Sequence, residues 1–252
     1  MLKRLFKRRA GAAASASALP AGERVYAIGD IHGRLDLLDA LLAEVEADDA
    51  TRASADTTLV FLGDLVDRGP RSAEVVERLR RLGMERPRTR FLLGNHEEIF
   101  LAALDGDERA LRGFCKMGGR ETILSYGVDE RRYERMDYDE LGDALRRIVP
   151  PEHLQFLRGF EDLIVKGDYA FVHAGVDPEI ALDAQHTDDL RWIRERFLEH
   201  RGALAKVVVH GHTIAHEVEW RAHRIGIDTG AYETGRLTAL GLEGEERWLL
   251  QT

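Results

Sequence analysis

A single cysteine, Cys115, stands in 252 residues. That rules out an intramolecular disulfide framework and fits a reducing compartment, so a cytoplasmic location is expected. Long apolar runs are missing too: none approaches the roughly 18 residues that a membrane helix needs, and no membrane span is expected. No internal repeat is present, and low-complexity sequence is confined to the opening. Residues 1–22, MLKRLFKRRAGAAASASALPAG, carry five Lys and Arg and no acid, with too little hydrophobicity for a signal-peptide core. They read as a flexible basic arm able to contact acidic surfaces. The body, residues 23–252, is left with 31 basic against 45 acidic residues, an excess that argues against nucleic acid as a partner.

What is present is an ordinary globular composition, 44% hydrophobic and 32% charged. Short apolar runs recur before turn residues: RVYAI at 24–28, TTLVFL at 57–62, TRFLL at 89–93, YAFV at 169–172 and KVVV at 206–209. Continuous runs of this length suit strands covered on both faces. Between them, Leu35, Leu38, Leu42 and Val45, then Val75, Val76, Leu79 and Leu82, recur at helical spacing. The first hundred residues thus read as β-α-β-α-β, an α/β fold. A charged, mostly helical stretch at about 105–160, including MGGRETILSYG at 117–127, resembles a cap insert. The last forty residues, with HRIGID, RLTALGLEG and ERWLLQT, read as antiparallel strands.

Each of the five strand-like runs ends at polar residues able to bind a metal. GDIHG supplies Asp30 and His32, GDLVDRG supplies Asp64, Asp67 and Arg68, GNHE supplies Asn95 and His96, HAG supplies His173, and HGHT supplies His212. Carboxyl ends of strands gather at one edge of an α/β sheet, where ligands bind. Asp30 and His32 point the same way if extended geometry persists that far, since strand side chains have a period of two. By the same period His210 faces as His212 does, although a packed or orienting role suits it better. Carboxylate, imidazole and amide donors suit Mn, Fe or Zn. If Asp64 bridges, Asp30, His32 and Asp64 hold one ion, and Asp64, Asn95, His173 and His212 hold a second about 3.5 to 4 Å away. Two divalent ions keep such a centre net positive, and it attracts phosphate.

The series GDIHG, GDLVDRG, GNHE, HAG and GHT resembles the calcineurin-like metallophosphoesterases, specifically the phosphoprotein phosphatase branch in its compact bacterial and phage form. The resemblance runs from about Arg24 to Thr252. It implies a central β-sandwich flanked by helices, with two divalent metal ions, manganese foremost, at the strand ends. It also implies metal ligands at Asp30, His32, Asp64, Asn95, His173 and His212, a proton donor at His96 oriented by Asp67, and a phosphate clamp at Arg68. Asn95 and His96 then also face the phosphate. A second clamp is implied at Arg194 in LRWIRERF, with Arg191 and Arg196 as neighbouring alternatives. The expected reaction is metal-dependent hydrolysis of phosphoserine or phosphothreonine in proteins, or of small phosphoesters, by a metal-bridging hydroxide. Dinucleoside polyphosphate or nucleotide hydrolysis on the same fold is the alternative.

Overall fold

The computed structural model describes residues 17–252. Strands β1 (Glu23–Ile28), β2 (Asp56–Phe61) and β3 (Thr89–Phe91) alternate with helices α1 (Leu35–Thr51) and α2 (Ser72–Glu85), as the apolar spacing predicts. Helix α3 (Asn95–Leu104) follows, then α4 (Glu108–Phe114), a π-turn at Cys115–Gly119, α5 (Arg120–Ser125), α6 (Glu130–Tyr133), α7 (Tyr138–Ile148) and α8 (Pro151–Arg158). Helix α7 starts on a reciprocal cap, in which Asp137 Oδ1 accepts from Glu140 N at 2.9 Å and Glu140 Oε2 from Asp137 N at 3.2 Å. The chain then forms β4 (Ile164–Lys166), β5 (Tyr169–Phe171), α9 (Thr187–Trp192), α10 (Glu195–Leu198) and β6 (Val207–His210). It closes with β7 (Glu219–Trp220), β8 (Arg224–Gly226), α11 (Ala231–Thr234), β9 (Thr238–Glu243) and β10 (Glu246–Gln251).

Two five-stranded mixed sheets result, in the orders β10-β9-β1-β2-β3 and β4-β5-β6-β8-β7. The two-residue period of β1 shows how they pack. Val25 and Ala27 enter a core shared with Phe171, Val209 and Ile225 of the second sheet, whereas Tyr26 and Ile28 face Leu38, Leu42 and Leu79 of the helices. Leu190, Ile193 and Phe197 cover the outer face of the second sheet. The fold is therefore a β-sandwich with helices on both outer faces, and every β1 residue after Glu23 is buried because both faces are covered.

Two expectations need correction. The C-terminal strands pair antiparallel as β7 with β8 and as β9 with β10, but the HRIGID segment also lies parallel to β6, so these strands are not purely antiparallel. The 105–160 insert is helical, as expected, and its Leu111, Phe114, Ile123, Leu141, Leu145 and Leu157 join the same core as α1 and α2. The arm expected over 1–22 also ends earlier. Leu19 is buried and donates its N–H to Gly244 O at 2.9 Å, and Ala18 O accepts from Asp168 N at 3.0 Å. Residues 1–16 lie outside the described residues. No helix among the described residues is long and apolar enough to cross a membrane.

Candidate metal centre

Parallel pairing sets the position of the site. β1, β2 and β3 run parallel, so the loops after them leave at one edge. β5, β6 and β8 do the same in the second sheet. The two edges meet where His212 N donates to Asp30 Oδ2 at 2.9 Å and His173 Nδ1 donates to Leu62 O at 2.8 Å.

These loops are strained in a selective way. Among the described residues the non-glycine positions with left-handed φ are His32 (46°), Asp64 (50°), Asp67 (73°), Arg68 (67°) and His212 (63°), all of them picked from the motifs. Such backbone persists only where surroundings over-determine it, and it clusters at functional sites. It also explains two departures from the strand period. β1 has ended by Ile28, so a left-handed turn and no extended backbone aims His32. His210, in line with the strand, points away from His212: its Nδ1 lies 3.0 Å from Gly211 O, its ring packs against Phe197, and burial lowers its pKa to about 4. His210 is a packed histidine.

Buried partners that the motif reading did not single out hold the strained loop. The Glu97 carboxylate accepts four backbone N–H groups: Leu65 at 2.8 Å and Val66 at 3.2 Å on Oε1, Asp64 at 2.8 Å and Gly94 at 3.2 Å on Oε2. Thr122, from α5 of the insert, accepts from Asp67 N at 2.8 Å and donates its hydroxyl to Asp67 Oδ1 at 2.7 Å. Arg68 N donates to Gly118 O at 3.0 Å. Glu97 sits inside the quoted GNHE and Thr122 inside MGGRETILSYG, so both signals lay in stretches already marked.

The donor atoms form two groups that share Asp64. Oδ2 of Asp64 lies 3.6 Å from His32 Nε2, and Oδ1 lies 3.4 Å from His173 Nε2. In the second group, Asn95 Oδ1 is 2.9 Å from His173 Nε2 and 2.8 Å from His212 Nδ1. His96 joins the first group, with Nε2 3.9 Å from Asp64 Oδ2, while its Nδ1 donates to Asp67 Oδ2 at 2.6 Å. Asp30 lies beside that group without entering the tight cluster.

The residues fit divalent cations. His32 Nδ1 donates to Val66 O at 2.7 Å as His173 Nδ1 does to Leu62 O, which leaves each Nε2 with its lone pair towards Asp64. Burial lowers His32 to about 3 and His212 to about 2, so both rings are neutral, as metal ligands must be. Burial and the neighbouring Asp228 and Asp64 charges push Asp30 well up, and Asp30 Oδ1 is buried without a hydrogen-bond partner. Against its burial, the charges of Asp64 and Asp67 raise His96 above the ordinary histidine value. The Arg68 guanidinium bridges the two rings of the first group, Nη1 at 2.8 Å from His32 Nε2 and Nη2 at 3.0 Å from His96 Nε2. A cation is thus already drawn to the His32 Nε2 lone pair.

The three arginines near Trp192 separate cleanly. Arg191 is engaged by Asp162 at 2.7 Å and Glu98 at 2.8 Å, and Arg196 by Asp177 and Glu179. Arg194 has no ion pair among the described residues, and its charge contributes to lowering His173 and His212.

The family model for the calcineurin-like phosphoesterases matches residues 23–229. A symmetrical bis(5'-nucleosyl)-tetraphosphatase of Yersinia enterocolitica is 46% identical over 122 residues, 48% of this chain and 35% of that protein. The match spans only about a third of the curated relative. Among solved structures, a proposed diadenosine tetraphosphatase has TM-score 0.64 at 22% identity, covering 93% of this chain and 98% of its own. A serine/threonine phosphatase from Saccharomyces cerevisiae has TM-score 0.51 at 15% identity, covering 91% and 79%. At these identities the two structures speak to the fold alone.

Proposed function

The chain belongs to the calcineurin-like phosphoesterase family, a family of hydrolases, and from that premise we propose that it hydrolyses the phosphate chain of dinucleoside polyphosphates. The observation that carries the chemistry is the sharing of Asp64, one carboxylate oxygen facing each donor group. Two divalent cations, when bound, supply a strong nucleophile from water at neutral pH and draw charge from phosphoryl oxygens. Asp30, His32 and Asp64 would hold the first, and Asp64, Asn95, His173 and His212 the second; manganese, with iron or zinc, would suit these nitrogen and oxygen donors.

The other residues work on the substrate. Arg68 and Arg194 clamp phosphoryl oxygens, Arg68 with its two guanidinium nitrogens. His96 Nε2 gives a proton to the departing oxygen, while Asp67 holds Nδ1–H and favours the charged ring. The curated relative's name supports the dinucleoside substrate. The His96–Asp67 pair supports a second reading, the phosphoserine or phosphothreonine monoester expected from the motifs, because an alkoxide leaving group has the greater need of a proton.

Side-by-side rates on diadenosine tetraphosphate and a phosphoserine peptide, with Mn, Fe, Zn and Mg tested separately, decide between them. The proposal expects kcat/KM to favour the dinucleotide at least tenfold. A preference for the peptide overturns the substrate assignment in favour of the second reading.

A further inference from the structure

Two aromatic rings stand beside the donor groups, one next to each, and the chemistry above uses neither. Trp192, the last residue of α9, is 37% exposed. Its ring centroid lies 6.5 Å from that of His212. Tyr232 of α11 is half-buried, with its ring 5.4 Å from His32 and 4.7 Å from the Arg68 guanidinium carbon. His212 belongs to the second donor group and His32 to the first.

The indole is fixed before any ligand arrives, and so is the backbone just before the tyrosine. Indole Nε1 of Trp192 donates to Glu98 Oε2 at 2.6 Å, and the other oxygen of Glu98 is held by Arg191 at 2.8 Å. The polar atom of the ring is thus satisfied and its face is what remains to offer. Tyr232 follows Ala231, which is buried and whose carbonyl accepts from Arg34 Nη1 at 2.9 Å.

We propose that Trp192 and Tyr232 are the base-stacking faces for the two nucleoside ends of the substrate. This rests on the dinucleoside reading and deepens it, since such a molecule carries a polyanionic middle and one planar base at each end. The middle belongs at the metal donors, Arg68 and Arg194; the ends need flat apolar surfaces on either side. A phosphopeptide has no paired planar ends and makes no use of two separate rings. With the indole N–H occupied by Glu98, recognition is by face and not by base edge. Adenine and guanine dinucleotides are therefore taken with similar efficiency, because every base has a π-face.

The test compares kcat/KM for diadenosine tetraphosphate with that for inorganic tripolyphosphate, which has the charge but no bases. The wild type, Trp192→Ala, Trp192→Phe, Tyr232→Ala and Tyr232→Phe are each measured with the metal-loaded enzyme. Each alanine variant lowers the ratio of the two values by about tenfold to a hundredfold, mainly through KM for the dinucleotide, and each phenylalanine variant restores most of it. Because the result is a ratio on one preparation, a partly misfolded variant does not mimic it. A wild type that prefers the dinucleotide and keeps that preference in both alanine variants overturns the stacking assignment alone. A wild type that cleaves tripolyphosphate and a phosphopeptide but not the dinucleotide overturns the substrate reading, and the stacking assignment with it.

Discussion

Replacing Glu97 by Gln probes what holds the metal-binding loop in its unusual backbone. Between residues 64 and 68, Asp64, Asp67 and Arg68 take left-handed φ, at roughly 1–2 kcal/mol each, or about 3–6 kcal/mol in all. Glu97 opposes that cost by accepting N–H groups from Asp64, Leu65, Val66 and Gly94. Burial and the Asp64 charge push Glu97 up to about 7; above that pH it is a carboxylate, and hydrogen bonds to a charged group contribute about 1.5–3 kcal/mol each. A glutamine has nearly the same shape but only one accepting end. Whichever way it turns, either the Leu65 and Val66 pair or the Asp64 and Gly94 pair faces an NH2 donor, and two contacts are lost, about 3–6 kcal/mol. That is comparable to the strain and a large share of a domain's roughly 5–15 kcal/mol. Urea unfolding of Glu97→Gln should show a midpoint lower by about 1–2 M at a slope of roughly 3 kcal/mol per molar, together with reduced metal content. A midpoint within about 0.3 M of wild type at unchanged slope, with full metal content, refutes the argument that Glu97 restrains the loop.

Thr122→Val removes the hydroxyl that donates to Asp67 Oδ1 at constant shape, and kcat should fall about tenfold with KM little changed, as for other losses of an orienting partner; Thr122→Ser should restore the rate. In Gly211→Ala, the new Cβ would overlap Asp30 Oδ1, so metal affinity should drop about tenfold to a hundredfold by titration, whereas an unchanged affinity would remove Asp30 from the ligand set. His96→Gln should lower kcat by about 10²–10⁴ while both metals stay bound; loss of a metal together with the rate would make His96 a ligand and not the proton donor.

Much of this site was legible from residue order alone, for a physical reason. A ligand must sit at the end of a buried strand, and β1 and β2 are long enough, with both faces covered, to read as continuous apolar runs. Asn95, the sole asparagine of the chain, also stood out by its place between a strand and a helix. Short elements were another matter: β7 has two residues and β4 three, too few to show any period. The partner of a strand is a tertiary choice, which is why the parallel register of β8 on β6 was not visible. Thr122 lies 55 residues from Asp67 in sequence, and nothing local signals that the insert turns this hydroxyl into the loop. Of the three arginines 191, 194 and 196, only their partners separate Arg194, without an ion pair among the described residues, from the two that are engaged.

Elemental analysis of manganese-reconstituted protein tests the central claim most directly, comparing wild type with Asp64→Asn. The shared carboxylate predicts two ions per chain in the wild type and fewer than one in the variant, because both donor groups lose a charged oxygen together. A fully active wild type with one ion or none, or an Asp64→Asn variant that still holds two, would contradict it.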